Sequence, residues 1–171
     1  MDQEYLMLRD ELLHLDSVVN NTINFFYVFI ASFIAFALTQ EDTIFILLSY
    51  IVIIPAYLIV ISKMQGICKI GAYLSVFHEG GKFNWESRNI KFSQRHVNIF
   101  SYIVSSNFPF IFVSAAVVIL FLYRTQWDTF SLVYEKCKLC SGFLLFLVVL
   151  VLAYKNRNIT TKDYIKKWED I

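Results

Sequence analysis

The sequence predicts an all-α polytopic membrane protein with four transmembrane helices and a cytoplasmic helical hairpin. Four apolar runs, at 23–38, 44–61, 104–122 and 139–153, contain no acidic or basic residue and no histidine. A bilayer core is crossed by about 17–25 helical residues, and a crossing segment must pair its own backbone groups because no water is available. A soluble chain of 171 residues could not bury four helices that are apolar on all sides.

The first element is an acidic N-terminal arm, residues 1–22. Apolar side chains recur in it at three- and four-residue spacing, which predicts an amphipathic helix: Tyr5, Leu8, Leu12 and Leu15. Nothing between Asp16 and Thr22 forces a break, so we expect this helix to continue into the first span. The first and fourth runs are short for a crossing, and Asn20–Thr22 and Lys138 can extend them at the interface.

The middle of the chain predicts the cytoplasmic hairpin, residues 62–103. An apolar stripe continues the second span helix beyond Ile61, and Gly80-Gly81 is a strong breaker pair. Phe83 to Trp85 then begins a second helix that leads toward the third span. A basic tail, 154–171, follows the fourth span. No stretch of the chain is rich in proline and serine, as a linker between domains would be, so we predict a single membrane domain, 1–171.

Lysine and arginine distribution predicts the orientation of the spans. The turn 39–43 has no basic residue and carries Glu41 and Asp42, whereas basic residues cluster in the hairpin and in the tail. Cytoplasmic segments near a membrane carry the excess of lysine and arginine. We therefore expect the hairpin and both termini to lie in the cytoplasm.

Small and weakly polar residues mark two faces within the spans. Asn24, Ala31 and Ala35 share one face of the first run, and Asn107 and Ser114 lie seven residues apart on the third. Membrane helices use such faces to pack closely, so these residues are candidates for packing or for lining a pore. Because the runs contain no ionisable group, an ion-coupled transporter is disfavoured.

The evidence for catalysis is sparse. Arg9 and His14 fit the loose R-x4-6-H spacing of HEPN ribonucleases, in which arginine and histidine act on a scissile phosphate. Cys137 and Cys140 form a lone C-x-x-C that cannot complete a zinc shell within one subunit. We favour a structural or incidental role for them, although a disulfide on the outer side is conceivable. No metal and no cofactor is expected, and an enzyme is less favoured than a non-enzyme.

Four stretches of the chain resemble small bacterial inner-membrane proteins of the RipA-like octameric family. They are the Tyr-Leu-x-Leu-Arg-Asp-Glu arm from Tyr5, the end of the first span at 36–40, the segment 72–77 and the Phe-Asn-Trp-Glu-x-Arg segment at 83–88. The resemblance implies an octameric ring in the bacterial inner membrane. The family's relatives include the membrane accessory protein encoded beside the RNA-guided RNase of type VI-B CRISPR systems. That relationship implies a pore-like assembly that depolarises the cell after phage RNA is recognised.

The predicted function is therefore a homo-oligomeric, pore-like inner-membrane protein that perturbs membrane potential in antiphage, CRISPR-associated defence or in envelope stress. Its expected partners are further copies of itself, the lipid bilayer and, functionally, an RNA-guided RNase system. Cytoplasmic residues are candidates for contacts between subunits: Trp85, Arg88, Arg95, His96 and Arg157. Two alternatives stay open, a membrane-tethered HEPN-like RNase using Arg9 and His14, and a non-conducting scaffold that recruits a soluble partner.

Overall fold

The computed structural model describes residues 3–78, 107–125, 133–156 and 161–169, and every element within them is helical. In chain order the elements are α1 (Gln3–Thr39), α2 (Ile44–Leu47), α3 (Tyr50–Tyr73) with a π-helical turn (Leu74–His78) at its end, α4 (Phe108–Arg124), α5 (Val133–Asn156) and α6 (Thr161–Glu169). The predicted all-α class is confirmed over these residues.

Three described helical segments are long and apolar enough to cross a membrane: Gln3–Thr39, Ile44–Phe77 and Val133–Asn156. They indicate a membrane protein. The third predicted span is represented by α4, which is shorter, at 17 residues. Residues 104–106 of that predicted span lie outside the described residues, as do 79–103 of the predicted hairpin.

The predicted continuity of the N-terminal arm and the first span is confirmed. α1 is one helix of 37 residues, about 55 Å long at a rise of 1.5 Å per residue. This length exceeds the roughly 30 Å of a hydrocarbon core, because the polar residues of the arm belong to the same helix as the apolar run.

The second predicted span is interrupted near its start in the structure. We predicted one helix over 44–61, whereas α2 ends at Leu47 and α3 begins at Tyr50. In the turn between them the Ser49 amide donates to the Ile46 carbonyl at 3.2 Å, so a tight three-residue turn keeps the backbone paired. The predicted continuation beyond Ile61 is confirmed, since α3 runs to Tyr73, with Pro55 inside it.

The chain divides into two compact units. The first, here called the arm unit, contains the described residues 3–21, 60–78 and 161–169. The predicted stripe of the arm is half-buried there, and a Cβ added at Gly66 would lie 3.2 Å from Leu15 Cδ1. Tyr73 donates its hydroxyl to Glu4 Oε1 at 2.9 Å, and its ring packs edge-on against Trp168 at 5.2 Å. Glycine at 66 and the aromatic pair therefore bring three helical segments together in this unit.

The second unit, the bundle unit, contains the described residues 22–59, 107–125 and 133–156. In it α4 packs against α2 and α5. The fully buried ring of Phe110 lies between Phe26 and Tyr57, with both centroid distances 4.6 Å. A Cβ added at Gly142 would lie 3.2 Å from Leu47 Cδ2, so glycine permits the close approach of α5. The interior of this unit is filled by aromatic and aliphatic side chains.

Candidate functional site

The main concentration of polar contacts in the bundle unit surrounds the short turn between α1 and α2. Asp42 Oδ1 accepts the Ile44 amide at 2.9 Å and Lys138 Nζ at 3.1 Å, and its Oδ2 accepts the Tyr134 hydroxyl at 3.0 Å. The carboxylate therefore caps the start of α2 and holds the first turns of α5. Asp42 thus joins α2 and α5 through a single side chain.

Lys138 is the buried cation of this region. It is 7% exposed, and its Nζ also lies 2.6 Å from Glu135 Oε1, so the ammonium is shared between two carboxylates. A charge taken out of water must be offset by partners of good geometry. The structure pairs Lys138 within the protein, and its place at the membrane interface stays a prediction.

Arg124 supports the same turn from the end of α4. Its Nη1 donates to the Leu38 carbonyl at 2.7 Å. The last turn of α1 contains no basic residue, and the carbonyl end of a helix carries a partial negative charge that a cation stabilises. Arg124 provides that cation from another helix.

These side chains enclose a cavity of about 330 Å³, here called the polar pocket, lined by residues 41–43, Arg124, Tyr134, Glu135 and Lys138. Thr43 is 9% exposed, and its buried hydroxyl has no hydrogen-bond partner in the part of the chain that the structure describes. An unpartnered buried hydroxyl is unfavourable unless something satisfies it. The pocket therefore offers unused polar groups next to fixed charges.

The ionisation of Asp42 follows from its surroundings. Partial burial acts to raise the pKa of its carboxyl, but the Ile44 amide and the side chains of Lys138 and Tyr134 outweigh burial and lower that pKa below its ordinary value. A lowered pKa in the folded state means that the contacts stabilise the fold above the ordinary pKa of the carboxyl. This stabilisation is lost as the pH falls through the lowered, folded-state pKa.

Of the predicted span residues, Asn107 and Ser114 lie against α3. Tyr57 donates its hydroxyl to Asn107 Oδ1 at 2.9 Å, and Tyr50 donates to the Ser114 carbonyl at 3.2 Å. The Ser114 side chain is fully buried. Both residues thus contribute to packing between α3 and α4 inside one subunit.

Asn24, Ala31 and Ala35 have a different environment. All three are exposed along one side of α1. Their spacing of seven and four residues places them within about 20° of a common line on the helix surface. The structure therefore does not bring this face together with Ser114, which is buried.

Arg9 and His14, the HEPN-like candidates, are both exposed on α1. Five residues separate them, which offsets the two side chains by about 140° around the helix. Neither makes a hydrogen bond or ion pair with another described residue. Within one chain, the two side chains therefore do not point toward a common phosphate.

The cytoplasmic contact candidates lie outside the described residues: Trp85, Arg88, Arg95, His96 and Arg157. Cys137 and Cys140 are exposed free thiols on α5. Within residues 3–78, 107–125, 133–156 and 161–169, no group of histidine, cysteine and carboxylate side chains could hold a metal ion.

Sequence reasoning missed the polar pocket as a site. The available signal was the acidic pair Glu41 and Asp42 in a short turn, together with lysine and arginine at the ends of later apolar runs. Short turns and span ends meet at one membrane surface, so opposite charges there are candidates for pairing. Comparison with protein-family models, with curated proteins and with solved structures finds no match for this chain.

Proposed function

We propose that this chain is a homo-oligomeric, pore-like protein of the bacterial inner membrane that perturbs membrane potential, in antiphage defence linked to an RNA-guided RNase system or in envelope stress. The observation that carries the proposal is the exposed face of α1 formed by Asn24, Ala31 and Ala35. Small residues on a membrane helix let a second helix approach closely.

The extent of exposed apolar surface supports assembly. Only 17% of the most apolar stretch of α1 and 22% of that of α5 is buried within one chain. Lipid can cover bulky side chains without loss, because acyl chains are as apolar as leucine. The small face of α1, formed by Asn24, Ala31 and Ala35 with Val28 and Leu38 exposed beside them, differs, since its alanines leave room for another helix to approach at short range.

The filled interior of the bundle unit favours a path between copies. Phe110, Tyr57 and Phe26 are at most 2% exposed and stack on one another. Such packing has the density of an organic solid and leaves no room for ions. A conducting path must therefore be formed by several chains together.

We also propose that α4, the third predicted span in chain order, crosses the membrane as well, which gives four crossings in total. Its 17 residues rise about 25 Å, and 17 residues is the lower limit for a span. With four crossings both termini lie on one side, and the excess of lysine and arginine in the hairpin and tail supports the cytoplasm as that side.

Cysteine labelling tests this topology. Cys68, Cys137 and Cys140 are first replaced by serine, and a single cysteine is then introduced as Lys91→Cys, Lys162→Cys or Glu41→Cys. We expect an impermeant maleimide added to intact spheroplasts to label Glu41→Cys and to label the other two only after permeabilisation. Labelling of Lys91→Cys or Lys162→Cys in intact spheroplasts would reject the orientation.

Assembly and conduction are tested with purified protein. Mass photometry in mild detergent is expected to give one discrete oligomer, and protein reconstituted into liposomes is expected to dissipate a potassium diffusion potential reported by a voltage-sensitive dye. Empty liposomes are the control. A clean monomer at micromolar concentration would remove the proposal. If a discrete oligomer forms but leaves the potential unchanged, the pore proposal is rejected in favour of the non-conducting scaffold.

A further inference from the structure

An apolar groove runs along the bundle unit between two helical segments on one side and α5 on the other. Its volume is about 470 Å³, and its lining includes Leu47, Ile51 and Pro55 opposite Leu145. The groove is open along its length, since Ile51 is 68% exposed. Its walls belong to segments of transmembrane length, so its opening faces hydrocarbon.

The apolar groove adjoins the polar pocket along both walls. Thr43 lines the polar pocket, and the next residue, Ile44, lines the groove. On α5, Lys138 lines the pocket and Ser141 lines the groove. Three helical residues correspond to a rise of about 4.5 Å. The charged lining and the apolar lining therefore follow each other along both segments, in the order of a phospholipid at the edge of a bilayer.

We propose that this site binds a phospholipid with a phosphoethanolamine headgroup, with one acyl chain in the apolar groove and the headgroup in the polar pocket. The proposal does not depend on conduction or on the number of copies in an assembly. It requires only that the segments around the groove lie in a membrane.

The polar pocket supplies donors for the phosphate. An ammonium has three N–H donors and a guanidinium has five. Lys138 uses two on Asp42 and Glu135, and Arg124 uses one on Leu38. These unused donors match the acceptor-only oxygens of a phosphodiester, and hydrogen bonds between ions are the stronger kind.

The same pocket favours a ligand that also carries a cation. Its lining has two cations and three carboxylates, which leaves one net negative charge. Glu41 is exposed at the rim and makes no hydrogen bond or ion pair in the described parts of the chain. A primary ammonium can donate to that carboxylate, whereas a quaternary ammonium has no N–H. An anionic headgroup without a cation is repelled by the excess of carboxylates.

Native mass spectrometry of the delipidated full chain tests the proposal, with phosphatidylethanolamine, phosphatidylcholine and phosphatidylglycerol of identical acyl chains added separately. We expect the ethanolamine lipid to bind at least about threefold more tightly than the other two, as one additional charge-assisted hydrogen bond predicts. This comparison uses the wild-type protein and so requires no variant to fold.

Two variants locate the lipid. Glu41→Gln removes the carboxylate that accepts the ammonium, and Leu145→Trp fills the groove. Each is expected to weaken binding of the ethanolamine lipid about three- to tenfold. The matched controls are Glu11→Gln, an exposed acid of the arm, and Leu147→Trp, an exposed leucine of α5 outside the groove lining. Each is expected to bind as the wild type does.

Three results would overturn the proposal. Equal binding of the three lipids, or a preference for the glycerol headgroup, excludes the ammonium contact. Binding by Glu41→Gln or Leu145→Trp that equals the binding by its control excludes the site. A change in oligomer mass in Leu145→Trp without a change in lipid binding assigns the groove to a second copy of the chain.

Discussion

Lys138→Met is expected to destabilise the bundle unit strongly. The substitution removes the cation that lies 3.1 Å from Asp42 and 2.6 Å from Glu135, and leaves two carboxylates without their partner. Breaking a buried ion pair costs about 3–5 kcal/mol, and because Asp42 is 39% exposed we expect the lower end of that range. The measurement is the free energy of unfolding in a mixed-micelle denaturation series.

The matched control is Lys136→Met, two residues away on α5. Lys136 is exposed and makes no hydrogen bond or ion pair with a described residue, so its replacement should change the free energy of unfolding by less than about 0.5 kcal/mol. Adding Asp42→Asn to Lys138→Met should recover part of the loss, since one of the two unpaired carboxylates is then gone. Equal stability of Lys138→Met and Lys136→Met would show that the ion pair contributes nothing.

Acidification provides a second check on the same pair. The contacts of Asp42 hold its pKa below 3.8 in the folded state. Their contribution is therefore full at neutral pH and disappears as the pH falls through that lowered pKa. The difference in stability between the wild type and Lys138→Met should accordingly be smaller in strong acid than at pH 7.

Ala31→Phe and Ala35→Phe are expected to abolish assembly and, with it, dissipation of the membrane potential. Both alanines are exposed on the small face of α1, so a phenylalanine there meets no neighbour within the subunit. It would hold a second helix away from the backbone contact that small residues permit. The expected result is conversion of the discrete oligomer to monomer in mass photometry.

The control for this prediction is Ala116→Phe on α4. Ala116 is also an exposed alanine in an apolar run, and its face carries the bulky exposed residues Phe112, Ile119 and Tyr123, whereas the face of Ala31 and Ala35 carries Asn24 beside the exposed Val28 and Leu38. Lipid covers the bulky face of α4, so added bulk should leave the oligomer intact. If Ala31→Phe and Ala35→Phe both assemble as the wild type does, the small face of α1 is not the contact between copies.

The long apolar helices were predictable because their signal is local. Apolar length and the stripe from Tyr5 to Leu15 are properties of neighbouring residues, and both appear in α1. The break at Leu48 and Ser49 was not predictable, since the residues on both sides are equally apolar. The burial of Ser114 was also not predictable, because the sequence of a helix that is apolar on all sides does not show which face is buried.

The polar pocket could be predicted only in part. The sequence shows acidic residues in one turn and cations at the ends of other runs, but not which of them meet. The Asp42 and Lys138 pair joins residues 96 apart, and its geometry depends on how α2, α4 and α5 pack. Gly142 allows that packing, and nothing in its local sequence distinguishes it from an incidental glycine.

The hydrogen bond from Arg124 to Leu38 has a consequence for the order of events during synthesis. The end of α1 emerges from the ribosome 86 residues before the side chain that caps it. Before then the last turn of α1 has no basic residue, and the acidic Glu41 and Asp42 that follow it add negative charge to the negative end of the helix. The turn between α1 and α2 therefore forms before the cations that pair with its negative charges are present. Its polar contacts are complete only after α4 and then α5 have been synthesised, so helices made later hold the turn that is made first.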